Sequence, residues 1–213
     1  MDDPIRELER ALAGLPGPDE AARRAVADRA VRVLRPRGAL AGLDALAVWL
    51  AGWRGAPPAV EAPACVVFAA DHGVAAEGVS AYPPEVTRSM LAALKEGVAT
   101  APVLADQVGA AFSVADVGVG RPTGNLLVEP AMGQERFGEA IAAGRRAVAE
   151  ADGCDLLVLG EMGIGNTTAA AAVAATLFGG PVEQWTGRGT GVDDETYARK
   201  VAVVDVARRR VGD

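Results

Sequence analysis

The run Cys65-Val66-Val67-Phe68-Ala69 decides the fold class of this chain. It is short and wholly apolar, and such a run without polar alternation is typical of a strand covered on both faces, as in a parallel sheet. Two more runs rich in apolar residues follow at residues 112–117 and 156–159. Helical stretches separate the three runs. This rhythm predicts an α/β fold with a parallel sheet, flanking helices and right-handed crossovers.

Helical patterns surround the three runs. Those between and after the strands predict helices at residues 84–96, 100–109, 134–151, 166–178 and 193–211. The N-terminal residues 1–55 contain three more helical patterns and no strand. We therefore predict a helical N-terminal region, residues 1–55, as part of a small domain, and an α/β domain over residues 56–213. Trp49 and Trp53, four residues apart, are expected to pack against another element.

Composition and charge narrow the classes of function. The 213 residues carry 21 Lys and Arg against 28 Asp and Glu, a net charge of −7, which disfavours a nucleic-acid partner. The two cysteines, Cys65 and Cys154, do not make a disulfide framework. The first residues lack the features of a signal peptide, and no apolar run is long enough to span a bilayer. We expect a cytoplasmic protein without a membrane or nucleic-acid partner.

The first loop of interest, residues 71–84, follows the first strand. Ligands of open α/β sheets bind outside the carboxyl ends of the strands. This loop contains His72, the only histidine of the chain, directly after Asp71. One interpretation is a ligand-binding loop. The alternative is a polar turn in which His72 caps a backbone group, and position alone favours neither.

The second loop, residues 160–168, reads GEMGIGNTT and leads into an Ala-rich helix. Glycines allow close approach to the backbone, and the free N–H groups and dipole at a helix start suit a phosphate. The loop lacks the Gly-Lys-Ser/Thr of a P-loop. The alternative is a glycine hinge with Asn166 as the N-cap, and both interpretations can hold together.

The third loop, residues 187–195, precedes the last predicted helix, which Asp193 or Asp194 is expected to cap. Lys200 follows two turns later and can reach a phosphate as a point charge. The alternative for Lys200 is a solvated helix lysine. The chain has no Cys/His cluster and no His-Glu-x-x-His pattern, so we expect no metal ion.

Three long motifs resemble one enzyme family. Residues 68–87, 159–169 and 187–195 are similar, in this order, to signatures of the nicotinate-nucleotide:dimethylbenzimidazole phosphoribosyltransferases. The resemblance implies a Rossmann-like sheet and a homodimer. It also implies transfer of phosphoribose from nicotinate mononucleotide to 5,6-dimethylbenzimidazole in cobalamin synthesis, giving nicotinate and α-ribazole 5′-phosphate, without a metal ion or cofactor.

The resemblance also assigns roles to residues. It places Glu161 beside the ribose, where its carboxylate acts on the transition state. The residues that it implies for substrate binding are Asp71, His72, Ser80, Tyr82, Met90, Gly163, Ile164, Gly165, Asn166, Thr167, Thr168 and Lys200. Of these, the 163–168 loop and Lys200 lie at the phosphate, and Ser80, Tyr82 and Met90 lie beside the base.

Departures from the family pattern leave alternatives open. Family members continue well beyond Asp213, and the resemblance places their general base there. We therefore expect little turnover from residues 1–213 alone, with Glu161 and then Glu85 as the best substitutes. The segment between Gly118 and Pro130 is shorter than usual, and Arg88 lies near the base pocket. The alternatives are a phosphoribosyltransferase with another ring acceptor and a truncated, non-catalytic homologue that binds nucleotide.

Overall fold

The structure is a computed structural model that describes residues 4–36 and 38–212. The alternation of helices and strands along the chain confirms the predicted fold class, an α/β fold with a parallel sheet and flanking helices. The elements are α1 (Pro4–Ala13), α2 (Glu20–Arg32), α3 (Ala41–Arg54), β1 (Pro63–Ala70), α4 (Val86–Lys95), α5 (Thr100–Gln107), β2 (Ala111–Gly118), α6 (Gln134–Glu150), β3 (Leu156–Met162), α7 (Asn166–Phe178) and α8 (Asp194–Gly212).

The chain divides into two compact units. One comprises Met1–Pro63 with Gly153–Leu156, and the other comprises Ala64–Asp152 with Leu157–Asp213. The predicted domain boundary after residue 55 stays a prediction.

The first unit contains α1, α2 and α3. Asp19 caps α2 because its carboxylate accepts the backbone N–H groups of Ala21 and Ala22 at 2.8 and 2.9 Å. Helices α2 and α3 pack through small residues, with Ala22 and Ala51 buried. Trp49 and Trp53 remain 51% and 52% exposed, so the expectation that they pack against another element is wrong for this unit.

Within the first unit, Asp155 joins the segment before β3 to the segment before β1. Its carboxylate accepts the N–H groups of Glu61 at 2.6 Å and Ala62 at 3.0 Å, and Arg54 lies 3.8 Å away. These backbone hydrogen bonds, followed by the charge of Arg54, hold the pKa of Asp155 below its usual value. A side chain 93 residues distant in sequence thereby fixes the entry to β1.

The second unit contains the sheet, in the strand order β2-β1-β3. Strands β1 and β2 are parallel, with Val67 opposite Val114. The central strand β1 is covered as predicted, since Val66, Val67 and Ala69 are at most 5% exposed. The same prediction is wrong for β2, where no residue before Gly118 is buried, and for β3, where Val158 and Leu159 are 50% and 61% exposed. At Val158 and Leu159 no helix of the described residues covers the face of the strand.

Two clusters hold the helices around the sheet. Helices α4 and α5 pack on β1 and β2 through Val67, Leu94 and Ala99. Helices α7 and α8 pack on each other through small residues, Ala171, Ala172 and Ala175 against Val204 and Ala207. The many alanines of α7 therefore allow α7 and α8 to pack closely. This packing places the start of α7 beside the first turns of α8. No helix of the described residues is both long and apolar enough to cross a membrane.

Candidate active site

The loops after β1 and β3 lie in direct contact at Gly163. A Cβ atom added to Gly163 would lie 2.9 Å from Nε2 and Cδ2 of His72 and would collide with the carbonyl oxygen of Ala70. Only glycine leaves room for this approach. Gly165, with φ +89°, also lies close to the backbone of Ala75: a Cβ atom added to it would lie 3.2 Å from the Ala75 nitrogen. The geometry of the second loop thus depends on the first.

Thr87 joins α4 to the second loop. Its side-chain Oγ1 accepts the backbone N–H of Ile164 at 3.1 Å, and the residue is fully buried. Sequence reasoning gave Thr87 no role. A signal was present, because Thr87 shares the buried stripe of α4 with Leu91 and Leu94, where a polar residue needs a hydrogen-bond partner.

The third loop and Lys200 meet the second loop at Thr167. The ammonium nitrogen of Lys200 donates to Thr167 Oγ1 at 2.9 Å, and Lys200 is only 2% exposed. Gly189, with φ +58°, passes so close that an added Cβ would lie 3.1 Å from Lys200 Nζ. The alternative of a solvated helix lysine is therefore wrong.

Burial of Lys200 follows from the pattern of α8. Lys200 shares the inner face of the helix with Val203, Val204 and Ala207, at the spacing i, i+3, i+4 and i+7. Burial lowers the pKa of Lys200 by removing water from its charged form. Within the described residues no carboxylate forms a salt bridge with it. A buried ammonium with one hydroxyl partner has donors left for an anion.

The start of α7 presents backbone donors beside this ammonium. Gly165, in a left-handed conformation, is the N-cap residue. The N–H groups of Asn166 and Thr168 are already bound, to the carbonyls of Gly163 and Gly165 at 3.1 Å each. Those of Gly165 and Thr167 have no acceptor in the described part of the chain. An anion can therefore be bound by fewer backbone N–H groups than the loop contains.

The two threonines that follow differ in access. Thr167 is exposed and holds Lys200, whereas Thr168 is fully buried and its Oγ1 has no hydrogen-bond partner among the described residues. A ligand at the surface of the loop can contact Thr167 but not the side chain of Thr168.

Asn166 does not cap α7, contrary to the alternative weighed for it. Its side-chain Nδ2 lies 2.7 and 2.6 Å from the two carboxylate oxygens of Glu161. Glu161 is near the end of β3 and is solvent-exposed. The carboxylate therefore stands at the open side of the loop with its position set by an amide.

The charge of the Glu161 carboxylate acts on His72. Burial lowers the pKa of His72, and the charges of Glu161 and Asp71 oppose that effect. The imidazole makes no side-chain hydrogen bond within the described residues, so the capping alternative is wrong. The carboxylate of Asp71 points elsewhere, since it accepts the N–H of Gly120 at 2.7 Å and holds the turn after β2.

Two further contacts anchor the first loop. Arg199 of α8 donates to the carbonyl of Gly78 at 3.1 Å. Asn125, in the connection between β2 and α6, donates to Glu77 at 2.6 Å. Val74, Val79 and their apolar neighbours fill the space beneath. The short connection noted in the sequence thus packs on the first loop.

The residues expected beside the base lie before and within α4. Ser80 is half-buried, and its Oγ accepts the N–H of Tyr82 at 3.2 Å. Tyr82 is 52% exposed, whereas Met90 packs against the cluster around Val67. In residues 4–36 and 38–212 no hydrogen bond joins Ser80, Tyr82 or Met90 to the second loop. No three His, Cys, Asp or Glu of these residues are grouped to hold a metal ion.

This geometry defines an α/β protein with three convergent loops and a buried cation beside a helix start. Comparison with known proteins gives the family. The sequence family described as "Phosphoribosyltransferase" matches residues 15–213. A nicotinate-nucleotide--dimethylbenzimidazole phosphoribosyltransferase of Jannaschia sp. is 51% identical over 199 residues, 93% of this chain and 58% of the relative. One of Ruegeria pomeroyi is 50% identical over 201 residues, 94% of this chain and 59% of the relative.

Solved structures agree with the sequence comparison. The crystal structure of CobT from Thermus thermophilus superposes with a TM-score of 0.77 at 43% identity, covering 89% of this chain and 62% of that one. The chain therefore belongs to the nicotinate-nucleotide:dimethylbenzimidazole phosphoribosyltransferase family, as the motifs predicted. It spans about three fifths of the length of these relatives.

Proposed function

We propose that the chain belongs to an enzyme that transfers the phosphoribosyl group of nicotinate mononucleotide to 5,6-dimethylbenzimidazole. Nicotinate and α-ribazole 5′-phosphate are the products. The observation that carries this proposal is the buried Lys200 ammonium on Thr167 at the start of α7. Family membership supplies the substrate class, since the relatives at about half identity are named for this reaction.

The phosphate end of the site consists of few groups. We infer that the N–H groups of Gly165 and Thr167 and the ammonium of Lys200 bind the 5′-phosphate. Their free donors, the helix dipole and the unpaired buried charge favour a dianion at this position. The glycines Gly163 and Gly189 allow the backbone to come close.

The transfer step places positive charge on the ribose. The bond from C1′ to the pyridine nitrogen breaks and its electron pair stays on nicotinate, while a benzimidazole nitrogen bonds to C1′ from the opposite face. The other benzimidazole nitrogen gives its proton to a base, which the resemblance places after Asp213. Glu161, at the open side of the loop, stabilises the charge at C1′. Ser80, Tyr82 and Met90 form the base side in this proposal. His72 takes part from its position at the second loop, and Asp71 acts through the turn after β2 that its carboxylate holds.

A binding experiment tests the phosphate site directly. Calorimetry compares nicotinate mononucleotide with nicotinate riboside, which lacks the phosphate, on the 213-residue chain. We expect the riboside to bind at least about tenfold more weakly, because charge-assisted hydrogen bonds contribute about 1.5–3 kcal/mol. Equal affinities would exclude this phosphate site.

A turnover experiment tests the acceptor. The 213-residue chain and a chimera that adds the C-terminal part of the Jannaschia relative are incubated with mononucleotide and a panel of benzimidazoles, purines and phenols. We expect the chimera to form α-ribazole 5′-phosphate from dimethylbenzimidazole. Preference for another ring would favour the alternative acceptor suggested by Arg88. Binding without turnover in either polypeptide would favour a non-catalytic homologue.

We also infer a homodimer in the cytoplasm. The dimer is supported by exposed apolar side chains on α3, where Leu43, Leu46 and Trp53 are 60%, 61% and 52% exposed. Several large apolar residues on one helix are unusual on a free surface.

A further inference from the structure

The side chain of Asn166 is committed to Glu161. Its Nδ2 lies 2.7 Å from Oε1 and 2.6 Å from Oε2, so one amide group spans both carboxylate oxygens. An ionised carboxylate only accepts hydrogen bonds, which determines that the NH2 end of the amide faces it. The two oxygens of one carboxylate subtend a narrow angle at Nδ2, so a single N–H group points between them in a bifurcated hydrogen bond. The second N–H group of the amide points away from Glu161.

The backbone of Asn166 is also occupied. Its N–H donates to the carbonyl of Gly163 at 3.1 Å, and the residue is the first of α7. The N-cap position belongs to Gly165, so the side chain gives the helix no cap. Helix capping therefore does not explain why an amide stands here.

We propose that Asn166 is a positioning residue that fixes the carboxylate of Glu161 for the reaction. The inference rests on the proposed function, because it deepens the role given there to Glu161. Glu161 is exposed, and an exposed glutamate samples several rotamers. A charge-assisted, bifurcated hydrogen bond from the start of α7 holds it in one orientation. A fixed carboxylate stabilises charge at C1′ without reorganising during the reaction.

A double-mutant cycle tests the proposal in the chimera with transfer activity. N166A is expected to lower kcat about 10- to 100-fold, the usual loss when a reacting group is misplaced, with KM for mononucleotide changed less than about twofold. In the E161Q background N166A should lower kcat no further, since the group that it positions is already changed. Equal losses in both backgrounds would show that Asn166 acts on the substrate itself and would overturn the proposal.

N166D separates positioning from helix stability. Aspartate is as good as asparagine at the start of a helix, so a structural role predicts unchanged activity. A positioning role predicts loss, because two carboxylates would face each other where an amide now donates. The pH profile of kcat should also change, with the acidic limb moved to higher pH. Wild-type activity and profile in N166D would contradict the proposal.

Nuclear magnetic resonance of the 213-residue chain gives a measurement that does not depend on turnover. The side-chain amide resonances of Asn166 are expected to move in E161Q, because the substitution removes the charged acceptor of the hydrogen bond. Asn125, which donates to Glu77 at 2.6 Å, is the matched internal control and should respond to E77Q alone. An Asn166 amide insensitive to E161Q would overturn the inference. Absence of transfer in the wild-type chimera would instead count against the proposed function.

Discussion

Lys200 and His72 are ionisable side chains for which the protein provides an environment that disfavours charge. Burial lowers the pKa of both. Neither residue is compensated by a hydrogen-bonded carboxylate in the described structure, so both lower the stability of the fold when protonated. Such residues are typical of ligand-binding sites, where groups that lower the stability of the fold contribute to the affinity for the ligand.

Lys200 provides the first prediction. K200M keeps much of the side-chain volume and removes the buried charge, so we expect the melting temperature to rise. Nicotinate mononucleotide should bind about 10- to 150-fold more weakly, the equivalent of about 1.5–3 kcal/mol for a charge-assisted hydrogen bond. Calorimetry and thermal denaturation of the same variant measure the two effects. An unchanged dissociation constant would show that Lys200 is only structural.

His72 provides a prediction of pH dependence. Its pKa is lower in the folded chain than the ordinary 6.5, so the unfolded chain binds the proton first. The stability is complete above pH 6.5 and falls as the pH drops from there towards the folded pKa, by at most about 1.4 kcal/mol per pH unit for one proton.

H72Q tests this dependence by urea denaturation between pH 5 and 7.5. The chain has one histidine, so the substitution should remove most of the slope in this range. The same slope in wild type and H72Q would contradict the assignment.

At the scale of elements, the loops depend on glycines whose neighbours come from other elements. Gly163 lies against Ala70 and His72 of the first loop, and Gly189 lies against Lys200 of α8. Residues 163–168 therefore cannot hold their conformation without β1 and α8. Gly144, in the middle of α6, has no such neighbours and therefore provides a matched comparison.

G163A and G144A form that comparison. The added methyl of G163A would collide with the Ala70 carbonyl, and we expect a loss of about 2–4 kcal/mol in the free energy of unfolding, with loss of mononucleotide binding. Gly144, within α6, has nothing within 4 Å of an added Cβ. G144A should gain about 0.5–1 kcal/mol from helix propensity. Urea denaturation measures both, and equal effects would contradict the close approach at Gly163.

At the scale of the whole molecule, the chain consists of two compact units and spans about three fifths of its relatives. The first unit exposes apolar side chains along α3, and β3 of the second unit exposes Val158 and Leu159. Exposed apolar surface of this kind favours association. The proposed homodimer is the form of association to test.

Sedimentation measures the oligomeric state. We expect a dimer at micromolar concentration in wild type and a monomer for W53E, because a buried, unpaired carboxylate at an interface opposes association. Circular dichroism checks that the variant is folded. A wild-type chain that sediments as a monomer would contradict the homodimer.

Much of the fold was determined by local sequence. The apolar runs predicted β1, β2 and β3, and the predicted helix over residues 166–178 has the observed bounds of α7. Short-range signals suffice here because strand and helix formation depend on apolar periodicity and on caps such as Asp19 and Asp193. The three motifs similarly indicated the family, since they are long and ordered.

Only the tertiary structure decided which side chains act together. Burial of Lys200 depends on α7 packing against α8, and its partner Thr167 is 33 residues away. Thr87 meets Ile164 across 77 residues. The pairing of Asn166 with Glu161 spans only five residues, yet it depends on Gly165 taking the N-cap position in a left-handed turn that packs on Ala75. Sequence patterns carry the period of each element, whereas these contacts arise from the packing of distant elements, which no local pattern encodes.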